Sequence, residues 1–206
     1  FIDTRADVKQ STLLARKCLW GFPDDKGRHN NTDWPYTAFM AASEPLKSFD
    51  CDKETFIGLY NNDDRPQAMT VDTLAGRSGR FTDAIAALQV QVDLEPQETK
   101  TVVFTLGAAE DGKEDVTDLV RRYTSPEGAL QAFGEVQAFW SRLMDSEKVE
   151  TQDEAFNFMT NTWLKYQSIS CRLWGKSAFY QVSAGYGFRD QLPDSQIFLV
   201  SDPEYT

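Results

Sequence analysis

The sequence predicts an α+β protein of the segregated kind, with an antiparallel β-sandwich portion first and helices after it. Three observations carry this. Residues 85–106 alternate apolar and polar side chains with a period of two. From about residue 116 apolar residues recur instead at steps of three and four. Turn-forming clusters separate the first set, whereas N-cap signals open the second. All β followed by all α argues against an alternating, doubly wound sheet and for two successive domains.

In chain order, Tyr36–Ala42 (YTAFMAA), behind Pro35, reads as a short strand, and Phe56–Tyr60 (FIGLY) reads as another, bounded by the turn-rich NNDDRP. Ile85–Leu94 places Leu88, Val90, Val92 and Leu94 on one face, and Thr99–Leu106 answers with Val102, Phe104 and Leu106. With the turn Glu95–Glu98 between them, these two runs predict a hairpin. A polar stretch, AAEDGKED, then marks a boundary near Ala108–Lys113.

Beyond it Val116–Tyr123 is a short helix. Ser125-Pro126-Glu127 starts a second one, with an N-cap hydroxyl, Pro in the first turn and an acid at the positive end of the dipole. Its stripe is Leu130, Phe133, Val136, Trp140 and Leu143. Thr151-Gln152-Asp153-Glu154 has the capping-box pattern and opens a third helix. That helix carries Phe156, Met159, Trp163, Tyr166, Ile169 and Leu173 on one face, with Phe158, Leu164 and Cys171 off it, and Gly175 ends it. A last helix spans Asp194–Ser201 and stops at Asp202-Pro203.

Composition removes several function classes. The balance of 21 Lys+Arg against 32 Asp+Glu, formally −11, leaves no basic footprint for nucleic acid or an anionic membrane. No apolar run approaches the ~18 residues of a membrane span. Cys18, Cys51 and Cys171 lack CxxC spacing, so neither a disulfide framework nor a zinc site is predicted, and a reducing, cytoplasmic setting suits them. His29, the single histidine, sits in the hydrophilic DDKGRHNNTD loop and reads as an ordinary loop residue without triad or metal partners. Asp50, Asp52, Glu54 and Asp63-Asp64 read as a solvated acidic edge with the wrong spacing for a calcium loop. The chain opens on Phe1 and stops just after an apolar helical run, which reads as an excerpt of a larger protein.

The richest stretch is AFYQVSAGYGFRDQLPD, residues 178–194. Phe179, Tyr180, Tyr186 and Phe188 surround Gly185 and Gly187, and Arg189, Asp190, Gln191 and Asp194 follow within six positions. Flat apolar faces beside a bidentate cation and carboxylates suit a polyhydroxylated ring. A pair of helix caps would use the same Arg and Asp residues, and Asp190 with Asp194 does not by proximity make a glycosidase acid and base. On these residues alone a non-catalytic carbohydrate-binding module remains open.

FIGLY, the run ALQVQVDLEPQETKTVVFTLG, the helix TQDEAFNFMTNTWLKYQSISCRLWGKSAFYQ and above all GYGFRDQLPD resemble glycoside hydrolase family 94. That family holds the cellobiose and chitobiose phosphorylases and the phosphorylase-like domain of cyclic β-1,2-glucan synthases. The likeness is clearest over residues 36–206, and CRLWGKSAFYQ with GFRDQ leans toward the β-1,2-glucan branch. The resemblance implies the last part of an N-terminal sandwich over residues 1–108, linker helices over 109–148, and the first helices of an (α/α)6 barrel over 149–206. On that map the helices from residue 151 onward pack against further barrel helices, so their apolar faces are expected here to be exposed, or covered by another chain or by the sandwich. It implies an inverting glycoside phosphorylase that cleaves β-linked gluco-oligosaccharides with inorganic phosphate, with no cofactor and no metal, as a homodimer when full length. Arg189 and Asp194 would hold hydroxyls of the donor sugar, and Asp190 and Gln191 would support that pocket. Pro193 stands where the family is expected to have Gln. The general acid and the phosphate ligands of the family lie beyond Thr206, so no catalytic residue is assigned here and the chain alone is expected to be inactive.

Overall fold

The computed structural model describes residues 1–19, 24–27, 33–174, 193, 196–199, 202–204 and 206. Contacts divide the chain into two units, Phe1–Ala132 and Phe133–Thr206.

The first unit opens with β1 (Ile2–Asp7) and β2 (Thr12–Lys17), antiparallel with Ile2 opposite Lys17 and Asp7 opposite Thr12. The tight link between them is held by Asp7, whose carboxylate accepts from the Lys9 and Gln10 N–H groups. β3 (Tyr36–Ala42) pairs with β2, and β6 (Phe104–Glu110) pairs with β3, giving a four-stranded sheet in the order β1-β2-β3-β6. β4 (Leu46–Asp52) and β5 (Ala84–Val90) form a separate antiparallel pair, with Phe49 opposite Leu88.

The predicted hairpin of residues 85–106 does not form. Only part of each run becomes strand, residues 85–90 of the first and 104–106 of the second, and the turn is present, with Glu98 N–H donating to Glu95 O at 2.9 Å. Their partners, however, are β4 for the first and β3 for the second. The reason lies in β3 and β4, which are joined only by Ser43-Glu44-Pro45 and enter different sheets. Pro45 has no N–H to continue a ladder. The chain therefore crosses from one sheet to the other at residues 43–45 and returns over 91–103. The two crossings are tied together: Ser43 N–H donates to Val103 O, Val103 N–H donates to Ser43 Oγ, and Lys100 pairs with Glu44 at 2.7 Å.

One face of the larger sheet is covered by α2 (Val116–Thr124), capped by the Asp115 carboxylate on Thr117 N–H. Phe39, Ala41 and Val120 are buried together there, with Leu14, Val116 and Leu119 packed around them. On the opposite face Leu13, Met40, Cys51 and Ile85 enclose a gap of about 70 Å³ between the sheets. The expected apolar face of the last strand is real, but it is the exposed one: Leu106 is 79% accessible, while Thr105, Gly107 and Ala109 face α2.

FIGLY is not a strand. Residues Lys53–Ile57 form the short helix α1, capped by Asp52, whose carboxylate accepts from Glu54 N–H and Thr55 Oγ1. Gly58 ends the helix at φ 81°, and a Cβ there would meet Gln67 Oε1 at 2.3 Å, so glycine is required on both counts. Two residues on, Tyr60 also takes a left-handed backbone, φ 65°, although it carries a Cβ and is 98% exposed. That conformation costs an L-residue about 1–2 kcal/mol. Tyr60→Gly is therefore expected to raise stability by about 0.5–1 kcal/mol, the strain relieved less the added chain entropy, because no packing is lost. Chemical denaturation at constant slope checks it, and a destabilised variant would contradict it.

The helical signals hold. α3 runs Pro126–Asp145, with Ser125 Oγ accepting from Gly128 N–H at 3.0 Å. α4 begins at Glu154–Phe158 and continues through Met159–Trp163 and Ser168–Trp174 as π-type turns. Its N-cap is Asp153, not Thr151; Thr151 Oγ1 instead accepts from Asp153 N–H. Gly175 and half of the last predicted helix lie outside the described residues; within its described half, residues 196–199, a single 3-10 turn runs Gln196–Phe198.

Candidate functional site

The second unit is built around aromatic side chains at helical spacing. Trp140 on α3 lies edge-on to Trp174 and is tilted against Tyr166, both at 5.5 Å between ring centres, and Phe139 stacks on Trp174 at 6.0 Å. Ile169 is buried, whereas Phe156, Phe158, Met159 and Leu164 are all more than two-fifths exposed. Exposed apolar surface after residue 151 is thus present as expected.

Side-chain amides fix the segment between α3 and α4. Asn157 Oδ1 accepts from Thr151 N–H while its Nδ2 donates to Thr151 O, both at 2.9 Å. Asn161, one helical turn on, makes the same pair with Val149, both at 2.8 Å. Two asparagines at i and i+4 thus hold the backbone of alternate residues, Val149 and Thr151, in the segment that links the two helices. Lys165 Nζ donates to Met144 O and Glu147 O, satisfying carbonyls at the end of α3 that the helix leaves free. Burial holds its ammonium below the ordinary lysine value. Sequence reasoning did not find these residues, although polar side chains at i, i+4 and i+8 of an apolar helix were a signal.

The continuously described residues end at Trp174. The sequence-predicted binding residues Arg189, Asp190, Gln191 and Asp194 lie outside the described residues, as does His29.

Within the first unit the polar surface gathers around α1. A cavity of about 590 Å³ is lined by Asp52, Lys53, Glu54, Tyr60, Arg77 and Asp83 among others. A second, of about 310 Å³, lies against Asp50, Thr55, Gly58 and Gln67. The supposed solvated acidic edge is in fact partly interior: Asp50 is 1% exposed and Asp52 6%. Loss of solvent raises the Asp50 carboxyl above its ordinary 3.8, against the Asp52 N–H bond that lowers it. Between 3.8 and that raised value the folded state binds more protons than the unfolded one, so stability falls as pH rises through the window. Asp50→Asn, which keeps an oxygen for the Asp52 N–H, is expected to gain stability relative to the parent between about pH 3 and about pH 7. A denaturant series at both pH values checks this; an unchanged difference would contradict it.

No helix of the described residues is long and apolar enough to cross a membrane. Cys18 and Cys51 are buried free thiols.

Residues 1–126 match the family model of the glycosyl hydrolase 94 supersandwich domain, and residues 139–206 match that of the glycosyl hydrolase 94 superfamily catalytic domain. The chain belongs to glycosyl hydrolase family 94. It is 37% identical over 169 residues to cyclic beta-(1,2)-glucan synthase NdvB of Rhizobium meliloti (strain 1021), covering 81% of this chain and 6% of that protein. It is 28% identical over 163 residues to solabiose phosphorylase of Paenibacillus borealis, covering 79% and 20%. With N,N'-diacetylchitobiose phosphorylase of Vibrio proteolyticus it shares 25% identity over 181 residues, covering 86% and 22%. The chain thus spans between 6% and about a fifth of the length of these relatives.

Proposed function

We propose that this chain is part of an inverting glycoside phosphorylase that cleaves a β-linked glucoside with inorganic phosphate to give a sugar 1-phosphate. In this reading its own contribution is half of the donor-sugar subsite. Arg189 and Asp194 hold ring hydroxyls remote from the anomeric carbon, and Asp190 and Gln191 brace them. Fixing the ring in that way places the anomeric carbon in line with phosphate, a positioning role that lowers the entropic cost of the encounter. Phosphate is the nucleophile, so no carboxylate base is needed, and the acid that protonates the leaving oxygen is supplied from outside residues 1–206. The observation that carries the reading is the match of both halves to one family, with phosphorylases among the relatives. The buried thiols Cys18 and Cys51 support a reducing, cytoplasmic setting.

A second reading is favoured by the 37% identity to a glucan synthase against 28% and 25% to the two phosphorylases. Here the same subsite belongs to a phosphorylase-like domain acting on β-1,2-glucan. One assay separates them. The whole protein is incubated with cellobiose, sophorose or a longer β-1,2-glucan, with and without phosphate. Phosphate-dependent release of α-glucose 1-phosphate from a disaccharide supports the phosphorylase. Turnover confined to long β-1,2-glucan supports the second reading, and hydrolysis indifferent to phosphate contradicts both. Residues 1–206 alone are expected to release no glucose 1-phosphate.

A further inference from the structure

We infer that the cavity beside α1 is a binding site for a neutral pyranose ring, carried by the sandwich unit itself. It is an open depression of about 590 Å³, wide enough to admit a single sugar ring from solvent. Asp52 is fixed at its floor, with one oxygen on Glu54 N–H and the other on Thr55 Oγ1, each at 3.1 Å. Arg77 Nη1 stands 3.6 Å from that second oxygen with 67% of its side chain exposed, so most of its donor fork faces the opening. Among the described residues the carboxylates of Glu54 and Asp83 have no hydrogen-bond partner and remain as acceptors on the rim. Tyr60 lines the same cavity with its ring almost wholly in solvent, held there by a left-handed backbone that works against stability. Strain kept on an exposed aromatic residue at a cavity mouth points to use by a ligand.

The charges decide the ligand class. Asp52, Glu54 and Asp83 outnumber Lys53 and Arg77 by three to two, so the lining repels phosphate or a sugar acid. It offers instead donors and acceptors for hydroxyls and one flat ring for an apolar sugar face. This inference uses the sandwich unit alone and does not rest on the donor-clamp reading.

The test is an amide-shift titration of the 206-residue chain with sophorose and cellobiose, with inorganic phosphate as the anionic probe. Saturable shifts centred on residues 52–60 and 77–83 are expected from a disaccharide. Binding should weaken about tenfold in Arg77→Ala and in Tyr60→Ala, the loss of one charge-assisted or one aromatic contact. Tyr60→Gly, which relieves the backbone, should lose binding equally while remaining folded. The inference is overturned by shifts at the cavity from phosphate but not from disaccharide, by shifts absent or confined to residues 175–206, or by undiminished binding in all three variants.

Discussion

Phe39→Ala is expected to cost the sandwich unit about 3–5 kcal/mol, the loss of a buried aromatic ring plus the cavity it leaves. Phe39 is 3% exposed and sits where β3 meets α2, against Ala41 and Val120. Across the ladder its partner is Gly107 on β6. A Cβ at Gly107 would lie 2.6 Å from the tip of the Phe39 ring, so the ring occupies the space a side chain would need. Gly107→Ala alone should therefore destabilise by about 1–3 kcal/mol through overpacking. In the Phe39→Ala background the clash is gone, and the same substitution should become neutral or mildly favourable, since glycine within a strand is itself costly by about 0.5–1 kcal/mol. A double-mutant cycle by equilibrium denaturation measures that coupling. Additive effects would show that ring and strand do not share this space.

The second large effect concerns the proposed clamp. In the whole protein Arg189→Ala is expected to lower kcat/KM for the β-linked donor by about two orders of magnitude, corresponding to about 3 kcal/mol for a charged hydrogen bond in a closed site. Arg189→Lys should restore little, because a compact ammonium cannot reproduce the planar fork on two hydroxyls. Thermal midpoints of parent and variants should agree, separating lost binding from lost folding. Unchanged kinetics in Arg189→Ala would remove this residue from the site.

The sequence made the order of the architecture legible and its pairing illegible, for a physical reason. Alternation along 85–94 and 99–106 suggests a half-buried strand in each run; it says nothing of where the pairing starts and stops or of which strand lies beside it. Proximity in sequence suggested a hairpin, but the decisive residues were Ser43-Glu44-Pro45, whose three-residue crossing commits β3 and β4 to different sheets. FIGLY was misread because five apolar-rich residues fit either period. The discriminating signals lay just outside it, with Asp52 as N-cap and Gly58 as helix stop six residues apart.

The helix start at Ser125 was readable because a cap is a local hydrogen bond, whereas the third helix was read two residues early, at Thr151 in place of Asp153, because both side chains can cap a first turn. The buried state of Asp50 was not readable, since burial is set by a partner strand 34 residues or more away. For the site, the motif GYGFRDQLPD and the cavity around α1 are complementary cases. The motif is legible only in sequence, whereas the cavity assembles Asp52, Tyr60, Arg77 and Asp83 from segments that no local pattern connects.

If residues 189–194 hold the donor ring, a structure of the whole protein with bound donor sugar will show them on it. The predicted result is ring hydroxyls remote from the anomeric carbon within about 3.2 Å of the Arg189 guanidinium and the Asp194 carboxylate. A donor ring seated in the helical domain without contact to either residue would contradict it.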